Sequence, residues 1–140
     1  MFQDAESARR GLEALVRDGF TPWTLSAIAM PSPGVALLFS DILVQAPRTI
    51  VLRDVGDVSA AGPLLSVLEG NDQGLSRRGL TATIRRAGFQ PHDGQIFERL
   101  LARAGVLVSV VSEPRAADAL ARLHSYGGGN AAIGAWSGRI

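Results

Sequence analysis

The sequence predicts an α+β domain: a ferredoxin-like, split βαβ layer of three or four antiparallel strands with helices mainly on one face. Three observations predict it. Apolar segments of helical period each end at a glycine, at Gly19, Gly70, Gly88 and Gly105. Val106 to Val111 (VLVSVV) is a short, continuous, β-branched run of the kind that forms a buried strand. Leu12, Leu15 and Gly19 recur as Leu120, Leu123 and Gly127, so a helix–glycine–strand unit is expected near both ends. At 140 residues and 46% hydrophobic, the chain has the length of one domain and enough apolar side chains for an ordinary core.

Taken in order, Ala5 to Asp18 reads as an amphipathic helix with Leu12, Leu15 and Val16 as its stripe. Asp4 or Ser7 can start it and Gly19 stops it. Phe20 to Met30 follows as a strand with Trp23, Leu25, Ala27 and Ala29 on one side and Pro22 at its beginning or on an edge. Pro31 to Gly34 is a loop. Residues 35–45 (VALLFSDILVQ) suit either a buried strand or a short helix, with the strand preferred. Thr49 to Arg53 is a short strand. Asp57 or Ser59 can cap a helix reaching Glu69, with Leu64, Leu65 and Leu68 inward. Ser76 can cap another, with Leu80 and Ile84 inward and Gly88 as its stop. Pro91 suits the first turn of a third, which buries Ile96, Phe97, Leu100 and Leu101. After the strand at Val106, Ser112 to Pro114 open a last helix with Leu120 and Leu123 inward. Gly127 to Gly129 is a hinge, and Asn130 to Trp136 an edge strand.

Composition narrows the chemistry. Cysteine is absent, which removes disulfides, thiol nucleophiles and thiolate metal sites together. Lysine is absent too, so neither a Schiff-base lysine nor a phosphate-loop lysine exists. No apolar run approaches the length of a membrane helix, and the opening MFQDAESARR has acids where a signal peptide has a basic region. A cytoplasmic protein without membrane contact is expected. The net charge is +1, but residues 1–72 hold five Arg against nine acids, whereas residues 73–105 hold six Arg against Asp93 and Glu98. Such asymmetry suits an anionic partner, or association between unlike faces.

The segment VGDVSAAGPLLSVLEG (Val55–Gly70) resembles a recurring stretch of the general stress protein (heat-induced stress protein) family, in which a glycine turn precedes an Ala-Ala-Gly-Pro-Leu helix. Further matches follow in order: Gly79–Phe89, an aromatic at Phe97 where the family often has Tyr, and AGVLVSV at Ala104–Val110. FQDAESARRGLEALVRDGF at the start is similar to the family's opening helix. These segments span about 80 positions. The resemblance implies a bacterial, stress-linked, non-catalytic α+β domain and brings no catalytic residues with it. The chain departs from the family in two ways: only Met1 to Gln3 stand where its first strand would be, and residues 31–48 lack its glycine-rich apolar insert.

Candidate sites are few. Ser109, Ser112 or Ser125 with His124 and Asp118 makes a poor hydrolytic set, because Ser125 adjoins His124 and Ser112 suits a cap. His92 and His124 lie on separate elements, so a metal centre is not expected. Asp54 and Asp57 flank a glycine turn, where turn and capping duties account for them. Gly56, at a turn read as opening a helix, and Gly62 behind it are a candidate anion-binding turn. Arg77, Arg78, Arg85, Arg86, Arg99 and Arg103 are the main candidate surface for an anion or partner. On one continuous helix, Arg77 and Arg85, like Arg78 and Arg86, would lie two turns apart on similar faces. No aromatic lies among them to stack bases. Trp23 and Trp136 are candidate interface residues. The function expected is non-enzymatic and cofactor-free, acting through a homo-oligomer (a dimer) or a protein partner. A small anionic ligand or weak nucleic-acid binding is the alternative.

Overall fold

The computed structural model describes residues 1–112 and 114–129. Helix α1 (Ala5–Arg17) starts at Asp4, whose carboxylate accepts the Ser7 amide at 2.8 Å and satisfies one of the free N–H groups of the first turn. Leu12 and Leu15 are buried, but Val16 falls at the edge of the stripe and is exposed. Phe20 to Met30 is not one strand. Pro22–Thr24 form a 3-10 turn and β1 is Leu25–Ala29, so Trp23 points outward instead of aligning with Leu25, Ala27 and Ala29.

Residues 35–45 correct the strand reading. Ser32 accepts the Val35 amide, Pro33 occupies the first turn, and α2 (Pro33–Leu37) runs on into a wider π-turn at Leu38–Leu43. Val35, Leu38, Phe39, Ile42 and Leu43 are buried, a helical rather than an alternating pattern. Val44, in the left-handed region at φ 51°, ends the turn.

β2 (Arg48–Leu52) and β3 (Gly56–Ala61) form an antiparallel hairpin. The helix expected from Asp57 starts six residues later, because Val58 and Ala60 face one core and Ala61 the other, the alternation of a paired strand. Gly62 then turns the chain at φ 107°, where a Cβ would overlap the Ser26 hydroxyl and the Leu25 carbonyl. Pro63 begins α3 (Pro63–Glu69), and the Leu64 amide donates to Ser26 Oγ at 3.0 Å. The cap of this helix thus comes from the neighbouring strand β1, which explains the Ala-Ala-Gly-Pro-Leu motif physically.

The single helix read from Ser76 is split. α4 (Gly74–Arg78) and α5 (Leu80–Thr83) are parted by Gly79 at φ 92° and ψ 177°, and a 3-10 turn (Ile84–Ala87) follows, ending at left-handed Gly88. Ser76 does not cap it; its amide and hydroxyl donate to Glu69. α6 (Pro91–Leu101) starts with a Gln90–Asp93 capping box, and β4 (Val106–Val110) and α7 (Ala116–Ser125) follow.

The four strands lie in the order β2-β3-β1-β4, every pair antiparallel, which is the split βαβ strand order. The helices surround the sheet instead of lying mainly on one face. Leu25, Ala27, Ala29, Ala61 and Val106 pack with α1, α2, the π-turn and α7. Ile28, Ile50, Leu52, Val58, Ala60 and Leu107 pack with α3 to α6. The two crossovers therefore run over opposite faces and have opposite hands, so one departs from the usual right-handed connection. The physical cause is in β1 and β3: five buried residues in a row on β1 require cover on both faces. Phe2 forms a two-way backbone bridge with Val106, so this residue lies on the β4 edge. Asn130 to Trp136, read as an edge strand, lies outside the described residues.

Candidate interaction surface

The break at Gly79 undoes the expected alignment of the arginines, because Arg77 and Arg78 lie on α4 while Arg85 and Arg86 lie in the 3-10 turn beyond α5. Arg77, Arg78 and Arg85 are exposed. Arg86 is already engaged. Its Nη1 donates to the Leu68 carbonyl at 3.0 Å and to the Glu69 carbonyl at 3.3 Å, and its two terminal nitrogens grip the Asp72 carboxylate at 2.9 and 2.7 Å. Gly70 and Gly74 have no Cβ where this guanidinium lies, and a methyl at either would come within 2.7 Å of it. Arg86 therefore closes the C-terminus of α3. Its guanidinium, bonded to Asp72, holds that carboxyl at about 2.

Arg99 near the end of α6 and Arg103 in the turn that follows it line an open groove of about 440 Å³ with Gln95, Glu98, Ala102 and Asp54 from the hairpin turn. The groove carries both signs of charge. Glu98 is committed in part, since its Oε1 accepts the Thr81 amide at 2.7 Å. Beneath β2, Glu69 is buried and accepts the Ser76 amide at 3.0 Å and hydroxyl at 2.7 Å, with Arg48 at 3.7 Å. Burial pushes this carboxyl up, but the bonds from Ser76 and the charge of Arg48 outweigh it, and the net displacement is downward.

The candidate anion turn is not built as expected. Gly56 opens strand β3 rather than a helix, and at Gly62 the Leu64 amide is already taken by Ser26 Oγ. An anion would have to displace that hydroxyl. Asp54 and Asp57 are exposed in the hairpin, with Asp54 at φ 66° in the turn. Ser125 Oγ donates to the Ala121 carbonyl of its own helix. Among the described residues, no three His, Asp or Glu side chains come together as a metal site, and no helix is long and apolar enough to cross a membrane.

Apolar exposure is more distinctive. Trp23 is 70% exposed, Val44 71%, Val51 64% and Leu37 52%. The Gln45 side-chain amide donates to the Pro22 carbonyl at 3.2 Å and the Leu25 carbonyl at 3.3 Å, which brings the end of the π-turn beside the turn that holds Trp23. Trp136 lies outside the described residues. Sequence reasoning identified Trp23 but missed Val44 and Val51. The signal for Val51 was present in Thr49 to Leu52: in a half-buried strand, alternate positions leave the core. No family model matches this chain, and no curated protein or solved structure shows significant similarity to it.

Proposed function

We propose that this chain is a non-enzymatic, stress-associated domain that acts by association, with a second copy of itself or with a protein partner. The observation that carries the reading is the set of exposed apolar side chains, with Trp23 and Val44 held near one another by Gln45 and Val51 on an edge strand. The stress association is supported by the resemblance of Val55–Gly70, Gly79–Phe89 and Ala104–Val110 to the general stress protein family. A cytoplasmic location fits the same reading. Sedimentation velocity over a wide concentration range tests it: the sedimentation coefficient should rise with concentration. A value that stays monomeric throughout removes self-association.

A second reading, binding of a small anion such as a nucleotide or phosphometabolite, is favoured by Arg99 and Arg103 at the α6 groove. Glu98 and Asp54 in the same groove weigh against a highly charged ligand. A saturable rise in melting temperature that is lost in Arg99→Ala/Arg103→Ala would favour it over association. Binding of nucleic acid through the same arginines would instead weaken steeply with salt.

A further inference from the structure

We propose that strand β2 pairs antiparallel with β2 of a second copy about a twofold axis at Val51, joining two four-stranded sheets into one of eight. This inference rests on the association reading and names the surface and the occupant. β2 ends the sheet. Apart from its ladder to β3, its only backbone hydrogen bond among the described residues is the turn bond from the Val55 amide to the Leu52 carbonyl. Natural edge strands are usually guarded by a proline, a bulge or a charge within the strand. Thr49 to Leu52 has none of these in its interior; Pro47, Arg48 and Arg53 stand only at its ends.

The charges at those ends select both the occupant and the register. Directly opposed residues of antiparallel strands share a face, so a twofold pairing of β2 with itself must centre on one residue. Centred on Thr49, it sets Arg48 against Ile50 and Arg53 against Gln45. Centred on Ile50, it sets Arg48 against Leu52 and Arg53 against Pro47. Centred on Leu52, it sets Ile50 against Asp54 and Arg48 against Gly56. Only the Val51 centre brings unlike charges together: Arg48, the first residue of β2, comes beside Asp54 in the turn that follows β2 of the second copy, and the symmetry makes that approach twice. The same register sets Ile50 against Leu52 of the second copy, both buried under the α3–α6 face, so the two cores meet edge to edge. On the other face, Val51 meets its own counterpart and loses its exposure. Arg48 is 62% exposed and pairs with the buried Glu69 at 3.7 Å, so its guanidinium is shared between Glu69 and the second copy's Asp54. Cross-strand apolar and unlike-charge pairs are the contacts that stabilise such a ladder.

The cysteine-free chain gives a direct test. Opposed residues of antiparallel strands have Cα atoms about 4.5–5.5 Å apart, inside the span a disulfide bridges. Val51→Cys should therefore convert almost wholly to a covalent dimer under mild oxidation, at concentrations where the wild type sediments as a dimer. Asp57→Cys, exposed one strand further in, should stay monomeric on non-reducing gels. Asp54→Arg should weaken the wild-type dimer about tenfold or more by sedimentation, and the reversed pair Arg48→Asp/Asp54→Arg should restore much of the loss. Thermal unfolding of each variant checks that the fold is kept. A wild-type dimer with no Val51→Cys cross-link would overturn this pairing while leaving association through another surface, such as Trp23. A wild type that stays monomeric would overturn the pairing and self-association together.

Discussion

At the Val106 end of β4 the sheet edge is covered by the chain's own Phe2, whereas along β2 the outer backbone has no partner strand among the described residues. Phe2 exchanges both of its backbone hydrogen bonds with Val106 at 2.9 Å, and Met1 exchanges both of its own with Gly129. The Phe2 ring is 2% exposed and packs against Gly11 and Gly128, whose missing Cβ atoms make room for it. At β2 the inward side chains Ile50 and Leu52 are as well buried as Phe2, yet among the described residues no second strand bonds its outer backbone. The two edges separate two problems a sheet must solve. Burying side chains is met by helices on either face. Satisfying the last row of amides needs another strand or water.

The largest way to break the contrast is at the closed edge. Phe2→Ala should cost about 3–5 kcal/mol, because a buried aromatic is removed from between two glycines that cannot fill the space. Chemical denaturation should show this as a lower midpoint, and exchange of the Val106 amide should accelerate. Gly105→Ala tests the same edge from the other strand. Its Cβ would lie 2.7 Å from the Leu100 carbonyl and 3.1 Å from that of Phe2, both backbone atoms with little room to move, so a loss of about 1–3 kcal/mol is expected.

Acid probes the helices on the two sides. Asp18 is held by Arg122 at 2.6 and 2.9 Å and joins α1 to α7, while Asp72 is held by Arg86 and closes α3. Hydrogen bonds from the arginines put both carboxyls below the ordinary Asp value, Asp72 at about 2. A lowered folded value stabilises the fold above the ordinary value of 3.8 and is lost as pH falls toward the folded one. Stability should therefore decline below about pH 4, with the α3 end the last to release. Loss of stability on raising the pH from 5 to 7 would contradict that assignment. The smallest effect is expected at the open edge: Val51→Lys should change monomer stability by no more than about 0.5 kcal/mol, because the side chain is solvated. The same change should dissolve the proposed dimer.

The elements whose signals are local were legible in the sequence. Asp4, Pro91 and Gly88 begin or end their helices as expected, and the first five residues of VLVSVV are a strand. Their chemistry acts within one turn, so neighbours in sequence are enough to specify it. Elements fixed by partners far along the chain were not. GDVSAA resembles a helix start until it is paired on both sides, with β2 and with β1. The cap of α3 is supplied by Ser26, 38 residues away from Leu64. Residues 35–45 hold too few turns for period to decide between strand and helix, and the Ser32 cap together with packing on α1 decides it.

The candidate surface divides in the same way. The sequence by itself determined that no cysteine or lysine chemistry is present, that arginines crowd residues 77–103, and that Trp23 was a candidate for an interface. Only the tertiary structure decided that Arg86 is committed to Asp72 and the end of α3, that Gly79 turns the remaining arginines out of line, and that β2 has no partner beyond β3 among the described residues. Composition and capping are properties of a few adjacent residues. Availability of a charge or of a strand edge depends on what the rest of the chain has already placed against it.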